Sequence, residues 1–108
     1  MGLKTWLVDN GASKHMTGYK EILSDLKKKY FAEQVELGDG KCYKIEGVGS
    51  ISFRLGFGAR LHVDEVLYVP GLKKNLLSVA TLEDKGYWVI FKDRKALLWA
   101  KGSHLSTT

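Results

Sequence analysis

The chain opens with an apolar run that ends abruptly at a carboxylate. Trp6–Val8 combines strand propensity with no polar alternation, so we predict a strand that is buried on both faces. Asn10-Gly11 follows Asp9 and is a strong turn signal, because both residues tolerate positive φ. The pattern therefore carries Asp9 out of a core strand and onto a tight loop of small residues.

The next segments alternate between apolar and polar positions. Tyr30–Leu37 and Lys41–Val48 are separated by a glycine-rich turn in which Asp39-Gly40 favours a type I′ hairpin. We therefore predict a long hairpin over residues 30–48. Before it, apolar residues at positions 22, 23 and 26 fit either one short amphipathic turn or an irregular loop.

Two more extended segments follow the hairpin. Ser50–Leu55 alternates cleanly, with Ile51, Phe53 and Leu55 predicted to face inward. Ala59–Val69 is also extended, but its apolar phase slips at Asp64-Glu65. A slip of this kind predicts a β-bulge or a break between two strands.

One segment has helical spacing. We predict a helix over Asn75–Lys85, with Asn75 as its N-cap and Gly86 at the position where glycine commonly ends a helix. Two apolar strands follow, at Tyr87–Phe91 and Ala96–Trp99. The order of elements predicts a mostly-β, barrel-like fold with one late helix.

The composition fits a single globular domain. The chain has 108 residues, of which 44% are apolar, and we predict one domain with a core over about residues 4–100 and a polar tail over 101–108. Its longest apolar runs fall far short of a membrane span, and no signal peptide is recognisable, so no membrane partner is expected. Cys42 is the only cysteine, which excludes a disulfide within the chain and favours a reducing compartment.

The charge balance is basic but mixed. The net charge is +5, which raises the hypothesis of a small basic β-barrel that binds nucleic acid. However, Lys27–Lys29 lies among acidic residues, and Lys73-Lys74 is followed closely by Glu83. Such interleaving is typical of a solvated surface, so nucleic acid is not the expected partner.

Few motifs can carry chemistry. The histidines are widely separated, and none of the Gly-x-Gly pairs continues into a dinucleotide fingerprint, so neither a metal nor another cofactor is predicted. Asp9 on its own fits a turn former as well as a catalytic carboxylate. Aspartic proteases need two carboxylates that share a proton, and a domain of this size obtains the second only from a symmetric copy.

Several stretches resemble one family. They are Trp6-Leu7-Val8-Asp9-Asn10-Gly11-Ala12-Ser13-Lys14-His15-Met16-Thr17-Gly18, then Leu37-Gly38-Asp39-Gly40, then Asp64-Glu65-Val66-Leu67-Tyr68-Val69-Pro70-Gly71-Leu72-Lys73-Lys74-Asn75-Leu76-Leu77-Ser78-Val79, and Lys85-Gly86-Tyr87. Together they are similar to the protease segment of copia-type LTR retrotransposon Gag-Pol polyproteins, within the retropepsins. The resemblance covers about Trp6 to Leu98.

The resemblance implies a fold, an activity and a set of site residues. It implies an all-β, retropepsin-like closed barrel that acts as a homodimeric aspartic endopeptidase on a Gag-Pol polyprotein, within a cytoplasmic virus-like particle. Asp9 matches the catalytic aspartate. Its supporting loop comprises Asn10, Gly11, Ala12 and Ser13. The tip of the substrate-covering flap comprises Leu37, Gly38, Asp39 and Gly40.

One position departs from the family pattern. The residue after the catalytic aspartate is usually Ser or Thr, whose hydroxyl braces the two loops across the dimer axis, whereas this chain has Asn10. The asparagine amide is longer and planar, so it does not guarantee the same bond. This departure supports an alternative, in which the domain dimerises or binds peptides without cutting them.

Overall fold

The computed structural model describes residues 6–9, 11–54, 60–92 and 95–100. Within these ranges the chain forms strands, one 3-10 turn at Lys20–Ile22 and one α-helix. In chain order the elements are β1 (Leu7–Asp9), β2 (Met16–Thr17), β3 (Ser24–Lys28), β4 (Gln34–Glu36), β5 (Cys42–Lys44), β6 (Gly47–Arg54), β7 (Arg60–Tyr68), β8 (Asn75–Ser78), α1 (Val79–Asp84), β9 (Tyr87–Lys92) and β10 (Lys95–Ala100). The described part of the chain is thus mostly β, as predicted.

Six strands form one mixed sheet in the order β1-β8-β2-β7-β6-β3. β1 runs parallel to β8 and β2 runs parallel to β7, whereas β2 is antiparallel to β8. The sheet curls into a half-barrel. Two further pairs, β4–β5 and β9–β10, form separate antiparallel hairpins.

The core is divided between two apolar clusters. The hairpin-side cluster lies beneath β4–β5 and comprises Met16, Ile45, Leu67, Val69, Leu72 and Leu76. The helix-side cluster lies beneath α1, β9 and β10 and comprises Leu61, Val63, Val66, Leu77 and Leu82. Because adjacent residues of a strand point to opposite faces, Leu76 and Leu77 enter different clusters. β8 is therefore buried on both faces.

Two predictions about buried segments were wrong. β1 lies at an edge of the sheet, and its Leu7 is 50% exposed, so this strand is not buried on both faces. Asn75–Ser78 is a strand rather than the first turn of the helix, and Ser78 is the N-cap, with its Oγ accepting the Thr81 N–H at 3.2 Å. Gly86 has φ +96 just after the helix, as predicted for a glycine that ends one.

The remaining elements partly match the sequence. The bulge at Asp64-Glu65 is confirmed, since Gly49 pairs with Val66 and Ile51 with Val63, which leaves two residues of β7 opposite one of β6. The hairpin is shorter than predicted, because pairing within it is confined to β4 and β5. Residues 22–28 hold the end of a 3-10 turn and then β3, a strand that the sequence did not indicate. The predicted inward position of Leu55 lies outside the described residues.

Candidate active site

The Asp9 carboxylate lies at the end of β1 and is held by the loop that follows it. The Gly11 N–H donates to Asp9 Oδ1 at 2.8 Å, and the Ala12 N–H is 3.4 Å from the Asp9 carbonyl oxygen. The carboxylate therefore accepts a backbone donor two residues along the chain. Among the described residues, this is the only hydrogen bond to the carboxylate, and it engages Oδ1.

Side chains from β8 and α1 anchor this loop. Ser78, which is paired in register with Asp9, donates from its Oγ to the Ala12 carbonyl at 2.7 Å. Thr81 Oγ1 donates to the Ser13 carbonyl at 3.1 Å. The loop is thus tied to the junction of a buried strand and a helix rather than resting on its own turn.

His15 lies beside this junction and is buried. Its Nδ1 accepts the Ser78 N–H at 2.9 Å, which requires the imidazole to be neutral with its proton on Nε2. Burial lowers the pKa of His15 from its usual value, and the charge of Glu65 acts in the opposite direction. The neutral acceptor form is therefore favoured at physiological pH.

A cleft of roughly 400 Å³ opens between the Asp9 loop and the β4–β5 hairpin. The loop contributes Asp9, Gly11, Ala12, Ser13 and Lys14; the hairpin side contributes Glu33, Gln34, Val35, Glu36, Leu37 and Gly38; and Met16, Ile45, Leu67 and Leu76 complete the lining. Asp9 thus lines an open groove that has apolar residues at its base and a hairpin over it. Such a groove can receive an extended peptide.

The chain is similar to known retrotransposon proteins over most of its length. A family model described as the β-barrel domain of Pol polyproteins matches residues 6–87. The chain belongs to this family. It is 34% identical over 98 residues to the retrovirus-related Pol polyprotein from transposon TNT 1-94 of Nicotiana tabacum. The aligned region covers 91% of the chain and 7% of that polyprotein. It is also 36% identical over 77 residues to the retrovirus-related Pol polyprotein from transposon RE2 of Arabidopsis thaliana. That aligned region covers 71% of the chain and 5% of the polyprotein.

The domain is therefore a small part of what its relatives contain. It spans 7% of the tobacco polyprotein and 5% of the Arabidopsis one. No solved structure gives a significant match. The predicted relationship to retrotransposon Pol polyproteins is confirmed, whereas assignment to their protease stays a proposal.

The structure brings together part of the predicted site of this Pol β-barrel domain. Gly11, Ala12 and Ser13 line the cleft with Asp9, and Leu37 and Gly38 line it from the hairpin. Asn10 lies outside the described residues.

The other two residues of the predicted flap tip lie outside the cleft lining. Asp39 and Gly40 do not line it, and the Asp39 Oδ1 instead accepts the Lys41 N–H at 2.9 Å. Gly40 adopts φ +81, and its N–H donates to the Leu37 carbonyl at 2.9 Å. In this structure these two residues shape the turn rather than contact the groove.

Sequence reasoning missed the residues that support the site. Ser78 and Thr81 fell within a predicted helix, and no role was assigned to His15. One signal could have identified the strand that carries Ser78. Asn75-Leu76-Leu77 shows no alternation of apolar and polar residues, which is typical of a strand buried on both faces.

A second polar constellation lies on the outer face of β6 and β7. Ser52 Oγ is 3.0 Å from His62 Nδ1, and His62 Nε2 is 2.8 Å from Asp64 Oδ1. The His62 and Asp64 side chains are 58% and 63% exposed, so both point toward solvent. Water screens charges on such an open face, so this face lacks the enclosed environment in which a catalytic triad acts. Ser52, His62 and Asp64 therefore share the residue types of a triad but not its setting.

Two further kinds of feature are absent from the part of the chain that the structure describes. The described residues contain no group of three or more His, Cys, Asp or Glu side chains arranged to hold a metal ion. They also contain no helix long and apolar enough to cross a membrane.

Proposed function

We propose that this domain is an aspartic endopeptidase that cleaves a retrotransposon Pol polyprotein as a homodimer. The observation that supports it best is the position of the Asp9 carboxylate, held by the Gly11 N–H at the mouth of a cleft beneath a hairpin. The resemblance of the surrounding residues to retropepsins supplies the reaction class. The proposed setting is a cytoplasmic virus-like particle.

The reaction needs two Asp9 carboxylates. Each chain supplies one such loop, and a twofold axis brings a second one to the same substrate. β1 lies at the sheet edge with Leu7 half exposed, which leaves the end of this strand accessible to a second copy. One Asp9 takes a proton from water as the water oxygen bonds to the scissile carbonyl carbon, and its protonated partner donates to the carbonyl oxygen. The tetrahedral intermediate then collapses, and the first Asp9 passes its proton to the amide nitrogen as the C–N bond breaks, so no covalent bond to the enzyme forms.

The β4–β5 hairpin contributes by covering the substrate. Its Leu37 and Gly38 reach the cleft, and an extended peptide in the groove can pair with backbone groups there. Closure of such a hairpin excludes bulk water from the carboxylates and strengthens the electrostatic interactions between them and the substrate.

The test is peptidase activity on a mixed peptide library between about pH 4 and 7, the range that a carboxylate dyad can serve. Asp9→Asn is expected to lower kcat/KM by at least about 10²-fold, since it removes the general base. Asp84→Asn is the matched control, because Asp84 is exposed at the end of α1 and lines no part of the cleft. Equal activity of wild type and Asp9→Asn contradicts the proposal.

A second function follows from Asn10, which replaces the usual Ser or Thr. In this second function the domain dimerises, or binds peptides, but does not cleave any peptide. Sedimentation then shows a dimer while the library stays intact, and Asn10→Thr raises cleavage from near zero. If Asn10→Thr changes nothing, the asparagine is not the cause of inactivity. Steeply salt-dependent binding to DNA or RNA instead indicates the nucleic-acid hypothesis.

A further inference from the structure

The ladder between β2 and β8 stops short of the active-site loop. Backbone pairing joins Met16 to Leu76 and Thr17 to Asn75. Farther along β8, the Ser78 N–H donates to the imidazole Nδ1 of His15 at 2.9 Å. A side chain therefore replaces a backbone carbonyl as the acceptor at this end of the ladder.

This acceptor is needed because both partners are buried. His15 is 2% exposed and Ser78 is fully buried, so water does not reach this amide readily. A buried N–H that loses its partner destabilises the arrangement around it. His15 is itself held by its backbone, since its carbonyl accepts the Leu67 N–H of β7 at 3.0 Å.

Ser78 transmits the position of His15 to the loop that bears Asp9. Its N–H is bound by His15, its Oγ donates to the Ala12 carbonyl, and the same Oγ accepts the Thr81 N–H of α1. A shift of the Ser78 backbone therefore moves the hydroxyl that fixes Ala12. Ala12 lies three residues beyond the carboxylate, within the same turn.

We propose that His15 is a positioning residue, whose Nδ1 holds Ser78 so that the Asp9 loop keeps its reactive geometry. This inference rests on the proposed endopeptidase function for its effect on catalysis. Its structural part, the ordering of the loop, does not depend on cleavage. Glu65 is the charged group that acts on the imidazole, from the bulge in β7.

The experiment compares His15→Asn with His15→Leu. These replacements are nearly equal in size, and both lose the ring, but only asparagine places an acceptor, Oδ1, on the same Cγ that carries Nδ1. We expect His15→Leu to lower kcat/KM by roughly 10- to 100-fold through misplacement of the carboxylate. His15→Asn is expected to recover most of this loss. Equal losses in the two variants, or a smaller loss in His15→Leu, overturn the proposal, because packing alone then explains the residue.

Amide hydrogen exchange separates this inference from the proposed function. His15→Leu is expected to speed exchange at Ser78 and Gly11 relative to His15→Asn, whether or not the wild type cleaves peptides. If the wild type cuts no peptide but the two variants differ in exchange in this way, the result contradicts the endopeptidase and supports the positioning role. Identical exchange in the two variants contradicts the positioning role.

The wild-type protein provides a further check if a variant does not fold. The ¹⁵N chemical shifts of His15 should show an unprotonated Nδ1 and a protonated Nε2, because a backbone N–H can only donate. A neutral ring protonated at Nδ1 overturns the inference.

Discussion

The two sides of the cleft are built differently. Its floor, which comprises Asp9, residues 11–18 and β8, is held by buried and partly buried hydrogen bonds, including Ser78 Oγ to the Ala12 carbonyl and the Ser78 N–H to His15 Nδ1. Its roof, the β4–β5 hairpin, has two strands of three residues each. The side chains of the roof strands are exposed except for half-buried Val35 and Tyr43, which pack on the hairpin-side cluster.

This difference matches the demands of the two regions. A short two-stranded hairpin has marginal stability of its own, so the roof depends on apolar packing that tolerates small displacements. Directional bonds in a buried environment hold the floor far more narrowly. In the proposed endopeptidase, the carboxylate must be placed accurately for proton transfer, whereas the cover must open to admit a peptide.

The largest expected difference in stability between floor and roof comes from adding one methyl group to a glycine in each. In the floor, a Cβ at Gly18 would overlap the backbone carbonyl of Leu72, whereas a Cβ at Gly38 in the roof would meet nothing within 4 Å. Gly18→Ala should lower the free energy of unfolding by at least about 3 kcal/mol, because backbone must move to make room. Gly38→Ala should change it by less than about 0.5 kcal/mol.

Urea denaturation of both variants measures this contrast. Similar losses at the two glycines would show that the floor is no more tightly packed than the roof. A large loss confined to Gly38→Ala would reverse the comparison.

A smaller effect is expected from one buried hydroxyl in the floor. Thr17 Oγ1 donates to Asn75 Oδ1 at 2.5 Å and accepts the Tyr19 N–H at 3.1 Å, and both Thr17 and Asn75 are buried. Thr17→Val keeps the shape but removes both bonds. We expect a loss of about 1–3 kcal/mol in the free energy of unfolding. A thermal midpoint equal to that of the wild type would show that the hydroxyl does not stabilise the floor.

The smallest effect is a pH dependence that originates in the floor. Burial lowers the pKa of His15 below its usual value of 6.5, so the unfolded chain takes up this proton more readily than the folded one. The stabilising contribution of His15 is therefore complete above about pH 6.5 and is lost as the pH falls through the lowered pKa.

The slope of unfolding free energy against pH, measured between about pH 7 and 5, tests this effect. Subtracting the slope of His15→Asn removes the contributions of other groups. Identical slopes for the two proteins would show that His15 is not the group that titrates.

More of the secondary-structure elements than of the candidate active site could be predicted from the sequence. The Asp64-Glu65 bulge could be predicted because apolar residues change phase there, and Asp39-Gly40 marked the place of the hairpin turn. The predicted type I′ geometry was wrong, because of these two residues only Gly40 has a positive φ. Asn75–Ser78 was assigned to the helix because Asn75 is a good N-cap and apolar residues follow it. Local preference was overridden there, since β8 is paired with β1 on one side and β2 on the other.

By itself, the sequence determined the mostly-β class, the tight loop after Asp9 and the relationship to retrotransposon Pol polyproteins. The first two follow from short-range patterns, because turn chemistry and strand periodicity act over a few residues, whereas the relationship rests on residues matched along most of the chain. Only the tertiary structure decided that β1 lies at an edge, that the cleft opens beneath β4–β5, and that Ser78 and His15 support the loop. The Ser78–His15 bond joins positions 63 residues apart, and no local pattern encodes which buried amide will meet which acceptor.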